Sequence, residues 1–192
     1  MIVREYDRNT DFDGICACLV ELQDFERRID SRRPAGDEIA NIYISDALAK
    51  CAECHGRIFV ADEEGEIAGY ATVLARVRSG ALDDGDVEYA YVADLVVREA
   101  YRGRGFGRRL IAKAETYARD EGAKWLRIGV LAENKVARSL YKSSGFAELH
   151  IDFEKELTPG AGEAEPSSCS GPGSSYGPVD VTAHPMTVMS NQ

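Results

Sequence analysis

The sequence lacks the features of a membrane or exported protein. It holds no apolar run of about 18 residues or more, which is the length that a membrane-spanning helix needs. Its first residues, MIVREYDRNTDFDG, lack the basic segment, the apolar stretch and the small-residue cleavage site of a secretory signal. We therefore expect a cytoplasmic protein without a membrane partner, in which the cysteines stay reduced.

Positive charge is also scarce. The chain has 23 Lys and Arg against 33 Asp and Glu, which gives a formal net charge of -10. Binding nucleic acid along a protein surface usually requires a basic face, so we expect no nucleic-acid partner. The acidity is compatible with a cationic substrate, and it is equally an ordinary feature of a soluble surface.

Proline is rare until the last part of the chain, because Pro34 is the only proline before Pro159. The chain has 192 residues, 44% of them hydrophobic, which is enough for one domain with a core. From Pro159 onward Pro, Gly and Ser dominate, and such a segment cannot bury enough apolar surface to offset its ordering entropy. We predict one domain over residues 1–157 and a flexible tail over residues 158–192.

The cysteines offer two alternatives to a purely structural role. Cys51, Cys54 and His55 match the C-x-x-C-H pattern of covalent haem attachment, but that chemistry requires export. With Cys16 and Cys18 added, a zinc site is conceivable. Those two cysteines lie two apart in a helical pattern and therefore point to different faces. We predict structural cysteines, with neither haem nor metal.

The hydrophobic pattern of the first half predicts strands and helices in the order β-α-α-β-β-β. A short strand over residues 1–6 precedes an amphipathic helix for which Asp11 is the predicted N-cap. A second helix covers residues 37–52. A hairpin follows over residues 57–77, and residues 87–97 form the most strand-like run.

The second half continues the order with α-β-α-β. A helix ends at Gly122, a strand covers residues 125–131, and Gly145 stops a short helix. A final strand is predicted over residues 146–157. Antiparallel strands thus precede a strand-helix-strand crossover, which predicts an α/β (α+β) fold with a mixed, mostly antiparallel sheet of about six strands and flanking helices.

The stretch YRGRGFGRRL, residues 101–110, lies between the long strand and the next helix. Amides at a helix start are free and the helix dipole favours negative charge, while glycine allows a ligand to approach the backbone. Basic residues dominate from Arg98 to Lys113, and only Glu99 opposes them. This pattern indicates a phosphate-binding loop; a solvated basic turn is the alternative.

Two common phosphate loops do not fit. The dinucleotide fingerprint G-x-G-x-x-G requires glycine where Arg108 stands, and the ATP loop G-x-x-x-x-G-K-[ST] is absent. Arg102-x-x-Gly105-x-Gly107, directly after VADLVV, instead resembles the acyl-CoA loop of the GCN5-related N-acetyltransferase (GNAT) family.

A second motif strengthens the resemblance. The pattern N-x-x-A-x-x-x-Y-x-x-x-G-F is similar to the family's second cofactor motif. It stands at Asn134, Ala137, Tyr141, Gly145 and Phe146. The spacing between the two motifs, the intervening helix and the strand WLRIGVL also match, so the resemblance covers residues 1–157.

The resemblance implies a site for acetyl-CoA. In the family the coenzyme A pyrophosphate lies on the loop's backbone amides, the preceding strand hydrogen-bonds the pantetheine arm, and a residue after the next strand contacts the cofactor. Loop arginines add charge-assisted contacts, since guanidinium matches phosphate geometry. The residues at these positions are Leu95, Val96, Val97, Arg102, Gly103, Arg104, Gly105, Phe106, Gly107, Arg108, Asn134 and Tyr141. For Val96 and Val97, core packing is the alternative.

The resemblance also implies the catalytic groups. Tyr141 would be the general acid that protonates the departing thiolate, and a packed helix tyrosine is the alternative. The general base would be Asp94 or Glu88, directly or through a water molecule. Many relatives carry Glu where this chain has Ala93, which leaves the base open. Asp94 holding the strand and loop by hydrogen bonds is a comparable alternative.

The acceptor region is expected around residues 24–38 and in the loop over residues 79–86. Its acidic side chains fit a cationic amine, while its arginines fit an acidic substrate. The acids are Asp24, Glu26, Asp30, Asp83, Asp84 and Asp86, and the arginines are Arg27, Arg28, Arg32 and Arg33.

The sequence thus predicts an acetyl-CoA-dependent N-acetyltransferase. An amine of a small molecule or peptide would attack the thioester directly, without a metal or a covalent enzyme intermediate. A non-catalytic acyl-CoA sensor or interaction domain is the alternative, and a homodimer is one assembly we consider.

Overall fold

The computed structural model describes residues 2–79 and 85–157. The predicted tail and the loop acids Asp83 and Asp84 lie outside these residues. The helices and strands, in chain order, are β1 (Ile2–Glu5), α1 (Phe12–Ile29), α2 (Gly36–Glu53), β2 (Arg57–Glu63), β3 (Glu66–Arg78), β4 (Glu88–Val97), α3 (Phe106–Asp120), β5 (Leu126–Ile128) and α4 (Lys135–Ser143). No helix in the described part is long and apolar enough to cross a membrane.

The sheet is mixed, as the element order predicts. Its strands lie in the order β1-β2-β3-β4-β5, with antiparallel pairing from β1 to β4 and a parallel pair of β4 and β5. The parallel pair follows from the crossover through α3, which returns the chain to the edge of β4. The predicted α/β fold with a mostly antiparallel sheet is therefore confirmed.

Both faces of the sheet are covered. Helices α1 and α2 pack on one face, with Ile15, Leu19, Ile44 and Tyr70 in a common buried cluster. Helix α3 packs on the other face, where Leu110 belongs to a second cluster. The alternation of side chains along β3 and β4 supplies both clusters, because successive residues of a strand point to opposite faces.

The described sheet has five strands, and the strand predicted for residues 146–157 is not among them. That segment forms no helix or strand, and Phe153 is 95% exposed. Two observations account for the difference. The neighbouring strand β5 is only three residues long and offers a short edge for pairing. In this segment Glu148 forms an exposed ion pair with Arg138 of α4, and Glu154 forms one with Arg32 of the α1–α2 connection.

Asp11 precedes α1 as predicted, but it makes no capping hydrogen bond. Its buried carboxylate instead accepts hydrogen bonds from Arg4 at 2.6 and 2.9 Å and from the amide of Asp7 at 2.8 Å. Arg4 also donates to Asp62 on β2 at 2.9 Å. The carboxylate therefore ties the start of α1 to β1 and β2, which fixes how this helix lies on the sheet.

Candidate active site

The centre of the site is a break in the pairing of β4. Thr72 of β3 pairs with Asp94, and the next residue of β3 pairs with Val92, so Ala93 is an extra residue that bulges from the strand. On the other edge, β5 pairs only with residues 90–92. Beyond the bulge, the edge of β4 that faces β5 has no strand partner in the described sheet, and it includes Leu95, Val96 and Val97.

The glycine loop follows this open edge. A short 3-10 turn over Glu99–Tyr101 leads to Gly103 and Gly105, which have φ values of +75° and +85°. A Cβ added to either glycine would meet no atom within 4 Å, so the space beside the loop is open. Phe106 is buried in the core and anchors the start of α3.

Gly105 is the N-cap residue of α3 and offers no side chain to the first amides of that helix. Those amides have no partners within the helix, and the positive end of the helix dipole lies among them. Because the space beside the loop is open, these amides are available to an anionic ligand. Gly103 through Arg108 therefore have the geometry of an anion-binding turn.

Arg102 reaches back to β4. Its Nε donates to the carbonyl oxygen of Val97 at 3.1 Å, and its guanidinium lies 5.9 Å from the ring centre of Phe25. The side chain thus covers the carbonyl oxygen of the last residue of β4, and Arg102 is exposed. Arg108, on the first turn of α3, is exposed.

The side chain of Arg104 contacts neighbouring side chains of the protein. Its guanidinium forms an ion pair with Glu63 at 2.5 Å and lies 5.5 Å from the ring centres of both Tyr101 and Phe106. The sequence suggested phosphate contacts for this side chain, but the structure engages it in supporting the loop.

Helix α1 also holds the loop. Glu21 accepts a hydrogen bond from Nε of Arg98 at 2.8 Å and another from the amide of Glu99 at 2.9 Å. These two bonds tie the end of β4 and the 3-10 turn to the middle of α1. The anion-binding turn is therefore fixed from both sides of the sheet.

Helix α4 packs against the start of α3. A Cβ on Gly107 would lie 2.9 Å from Cδ2 of Leu140, so the glycine permits this close approach. Asn134 is the N-cap of α4, and its side chain accepts from the amide of Ala137 at 3.1 Å. The amide oxygen of Asn134 is thus used within the helix, while the predicted cofactor contact remains a prediction.

Tyr141 lies on α4 beside Phe146, with ring centres 6.0 Å apart. Burial raises the pKa of Tyr141, and the negative charges of Glu26 and of ionised Tyr91 raise it further. The phenol therefore keeps its proton at neutral pH. A protonated phenol can donate to a developing anion, which is the property that a general acid needs.

Asp94 is almost fully enclosed between β4 and α2. It is 4% exposed, and one oxygen accepts a hydrogen bond from the hydroxyl of Tyr43 at 2.7 Å. The other oxygen has no hydrogen-bond partner among the described residues. Burial raises the pKa of Asp94, and the bond from Tyr43 opposes this only in part. The carboxyl group is positioned to hold α2 against the bulge.

Glu88 is not brought to this cluster. It is the first residue of β4, at the end away from the anion-binding turn, and pairs with Arg78 at 3.2 Å. Six residues of strand separate it from Asp94, which corresponds to about 20 Å. The structure therefore joins Asp94 to the site but leaves Glu88 at the far end of the sheet.

Sequence reasoning gave Glu26 no individual role, although its pattern contained a signal. Glu26 continues the spacing of Ile15, Leu19 and Leu22, so a charge falls on the apolar face of α1. The structure places it within electrostatic reach of Asp94, Tyr43 and Tyr141. A charge on an apolar helix face is the feature that would have identified it.

Three of the four cysteines that the structure describes lie in α1 and α2, and Cys54 is the C-cap residue of α2. Cys18 and Cys51 are buried, while Cys16 and Cys54 are partly exposed. Cys18 lies 3.7 Å from the carbonyl oxygen of Ile67, and burial raises the pKa of its thiol to about 12. Over residues 2–79 and 85–157, no three or more His, Cys, Asp or Glu side chains form a group that could hold a metal ion.

Comparisons with known proteins agree with this geometry. Residues 19–146 match the model of the acetyltransferase (GNAT) family. The chain is 35% identical over 68 residues to an uncharacterized N-acetyltransferase, YycN, of Bacillus subtilis, covering 35% of this chain and 44% of that protein. It is 42% identical over 59 residues to a thialysine N-epsilon-acetyltransferase of Bos taurus, covering 31% and 35%.

The chain thus matches less than half the length of either of these curated relatives. Among solved structures, the tetramutant of the BH1408 protein from Bacillus halodurans has the same fold. The TM-score is 0.68 at 19% sequence identity, and the match covers 82% of this chain and 100% of the other.

Proposed function

The chain belongs to the acetyltransferase (GNAT) family, and we propose that it transfers an acetyl group from acetyl-CoA to a primary amine of a small molecule or peptide. The observation that carries the proposal is the break at Ala93. It leaves an open strand edge that leads into the anion-binding turn at the start of α3, and α4, which carries Tyr141, packs against that turn through Leu140 and Gly107. The proposal includes a cytoplasmic location.

The donor side of the site fits coenzyme A. The amides from Gly103 to Arg108 would hold the pyrophosphate, since they open α3 and face unfilled space. The free edge of β4 after Ala93 would hydrogen-bond the pantetheine arm in the manner of an added strand. Arg102 and Arg108 would add positive charge at the rim. When bound, acetyl-CoA supplies a thioester that an amine can attack.

Tyr141 would donate its proton to the sulfur as the C–S bond breaks. Its phenol is protonated at neutral pH, and α4 packs against the start of α3 through the contact of Leu140 with Gly107. A thiolate leaves more easily when it is protonated as it departs.

We assign Asp94 a positioning role. The buried carboxyl group holds Tyr43 of α2 against the bulge at Ala93, and burial keeps an incoming amine from direct contact with it. This is the second of the two roles that the sequence left open for Asp94. Glu88, about 20 Å along the strand, receives no role in the proton transfer.

The acceptor is proposed to be a cationic amine. Asp24 of α1 lines a surface pocket beside the α1–α2 connection, and Glu26 of the same helix carries a negative charge that acts on Tyr141. One relative is named for acetylating thialysine at its ε-nitrogen. An amine is mostly protonated at neutral pH, so nearby carboxylates attract it, and a carboxylate within hydrogen-bond reach can accept its proton during the reaction. A homodimer is the assembly to test by light scattering.

The experiment is thiol release from acetyl-CoA, measured over a panel of amines that includes thialysine, lysine, spermidine and a lysine-containing peptide. We expect amine-dependent release with at least one of them. Tyr141→Phe should lower turnover about a hundredfold or more and leave acetyl-CoA affinity nearly unchanged. Tyr117→Phe is the matched control. Tyr117 lies on the part of α3 far from the turn, and its hydroxyl donates to the carbonyl oxygen of His55.

Two outcomes would contradict the proposal. Tight acetyl-CoA binding without release on any amine would support the acyl-CoA sensor instead. Equal turnover in Tyr141→Phe and Tyr117→Phe would remove the general-acid role from Tyr141.

A further inference from the structure

One carboxylate of α1, that of Glu26, continues the helix face that packs on the sheet. It lies one turn beyond Leu22, which, like Tyr43 of α2, packs against the buried cluster on that side of the sheet. Its negative charge raises the pKa of Tyr43 and that of Tyr141 on α4. Asp94 of β4 acts in turn on Glu26. Glu26 therefore interacts electrostatically with Tyr141 on α4 and with the hydrogen-bonded pair of Tyr43 on α2 and Asp94 on β4.

Access distinguishes Glu26 from Asp94. The side chain of Glu26 is 21% exposed, whereas the whole of Asp94 is 4% exposed and one of its oxygens already accepts from Tyr43. A base must come within hydrogen-bond reach of the proton that it removes, either directly or through one water. Of these two carboxylates, only Glu26 presents surface to an incoming molecule.

Glu26 forms an ion pair with Arg33 of the α1–α2 connection, with Nη1 2.8 Å from Oε2 of the carboxylate. Nε of Arg33 is buried and has no hydrogen-bond partner among the described residues. The arginine engages Oε2, and an ammonium group is a chemically suitable partner for the other oxygen, Oε1.

Resting on the function proposed above, we propose that Glu26 accepts the proton that the acceptor amine loses during acetyl transfer. The amine nitrogen forms a bond to the acetyl carbon as the C–S bond breaks. The proton that the neutral amine loses passes to the carboxylate of Glu26, directly or through one water, and Tyr141 gives its proton to the sulfur. Glu26 then releases its proton to solvent and the Tyr141 phenolate takes one up, so the enzyme is restored and the products are an amide and a free thiol.

The electrostatic surroundings of Glu26 suit this role. Burial raises its pKa and the charge of Asp94 raises it further, while Arg33 opposes both. A carboxylate with a raised pKa is a stronger base, provided that it is still ionised at the working pH. Because the charge of Arg33 lowers the pKa of Glu26, removing that charge should raise this pKa further above its ordinary value.

The test uses the pH dependence of kcat/KM in the thiol-release assay, with the most active amine of the panel. Glu26→Gln should lower kcat/KM about a hundredfold and abolish the acidic limb of the profile, while Glu26→Asp should retain part of the activity. Arg33→Met should move the acidic limb to higher pH by about one unit, since it removes an opposite charge. Asp13→Asn, an exposed acid on the same helix, is the control and should match the wild type.

The outcomes separate this inference from the proposed function. Absence of amine-dependent release in the wild type would overturn both. Suppose instead that the wild type is active. An unchanged pH profile of kcat/KM in Glu26→Gln would then overturn the role of Glu26 alone, and so would an acidic limb that does not move in Arg33→Met. Acetyl-CoA affinity within about twofold of wild type in the Glu26 variants would show that the donor site is intact, and its loss would assign Glu26 to donor binding instead.

Discussion

Gly105 provides the sharpest test of the anion-binding turn. This residue has φ +85° and ψ +3°, a conformation that favours glycine because other L-residues seldom adopt it. A Cβ at this position would meet no atom within 4 Å. Gly105→Ala therefore introduces backbone strain without a steric clash in the free protein.

The expected cost in stability is small and can be worked out. The left-handed conformation costs an alanine about 1–2 kcal/mol. The loss of chain entropy in the unfolded state returns about 0.4–1 kcal/mol of this. Gly105→Ala should thus lower the free energy of unfolding by about 1 kcal/mol, and Gly105→Asn by less, since asparagine adopts this conformation more readily.

Acetyl-CoA affinity should fall further than stability. The added methyl group extends into the open space that we assign to the pyrophosphate, so we expect at least about a tenfold increase in Kd, or about 1.4 kcal/mol. Urea denaturation measures the first quantity and isothermal titration with acetyl-CoA the second. Gly122→Ala is the matched control, because Gly122 also has φ +85° and open surroundings but lies past the far end of α3. Equal acetyl-CoA affinities in the two variants would refute a pyrophosphate site at this turn.

Two further predictions concern α1. The hydrogen bond from Arg4 lowers the pKa of Asp11 from 3.8 to about 2. The ionised carboxylate should therefore contribute about 2 kcal/mol to stability above pH ~4, and this is lost as the pH falls toward 2. Asp11→Asn should lack this loss in urea denaturation series across that range, and parallel curves for the two proteins would contradict the ion pair's role. A Cβ on Gly36 would lie 2.6 Å from Cα of Val20, so Gly36→Ala should destabilise the protein by about 1–3 kcal/mol. An unchanged denaturation midpoint would show that α1 and α2 separate without cost.

Local patterns predicted the regular elements that lie inside the fold. The run VEYAYVADLVV becomes β4, and the glycine stretch ends where α3 begins. Both are short-range signals: strand propensity and the freedom of glycine at a turn. The segment over residues 146–157 carries a similar apolar alternation without joining the described sheet. Pairing depends on the length of the neighbouring strand, which its own sequence does not encode.

The site was predictable where backbone conformation decides it and not where distant side chains meet. Nothing marks Ala93 as a bulge, because the extra residue appears only when β3 and β4 are placed in register. The bond between Tyr43 and Asp94 joins residues 51 positions apart. Arg104 was expected to face a ligand, yet Glu63 and two aromatic rings engage it. The charge of Glu26 on an apolar helix face was visible, and its meaning required the packing of α2 and α4.

Helix α1 explains how donor and acceptor chemistry can be held in register. Glu21 binds the end of β4 and the 3-10 turn that leads into the anion-binding turn, while the charge of Glu26 raises the pKa of Tyr141 and of Tyr43. Five residues of one helix separate the two carboxylates, a rise of about 7.5 Å. Because a packed helix does not stretch, the helix itself sets the distance from the anion-binding turn to Glu26, the proposed proton acceptor. The ion pair of Arg4 with Asp11 then fixes that helix on the sheet, so a contact remote from the chemistry determines where both carboxylates stand.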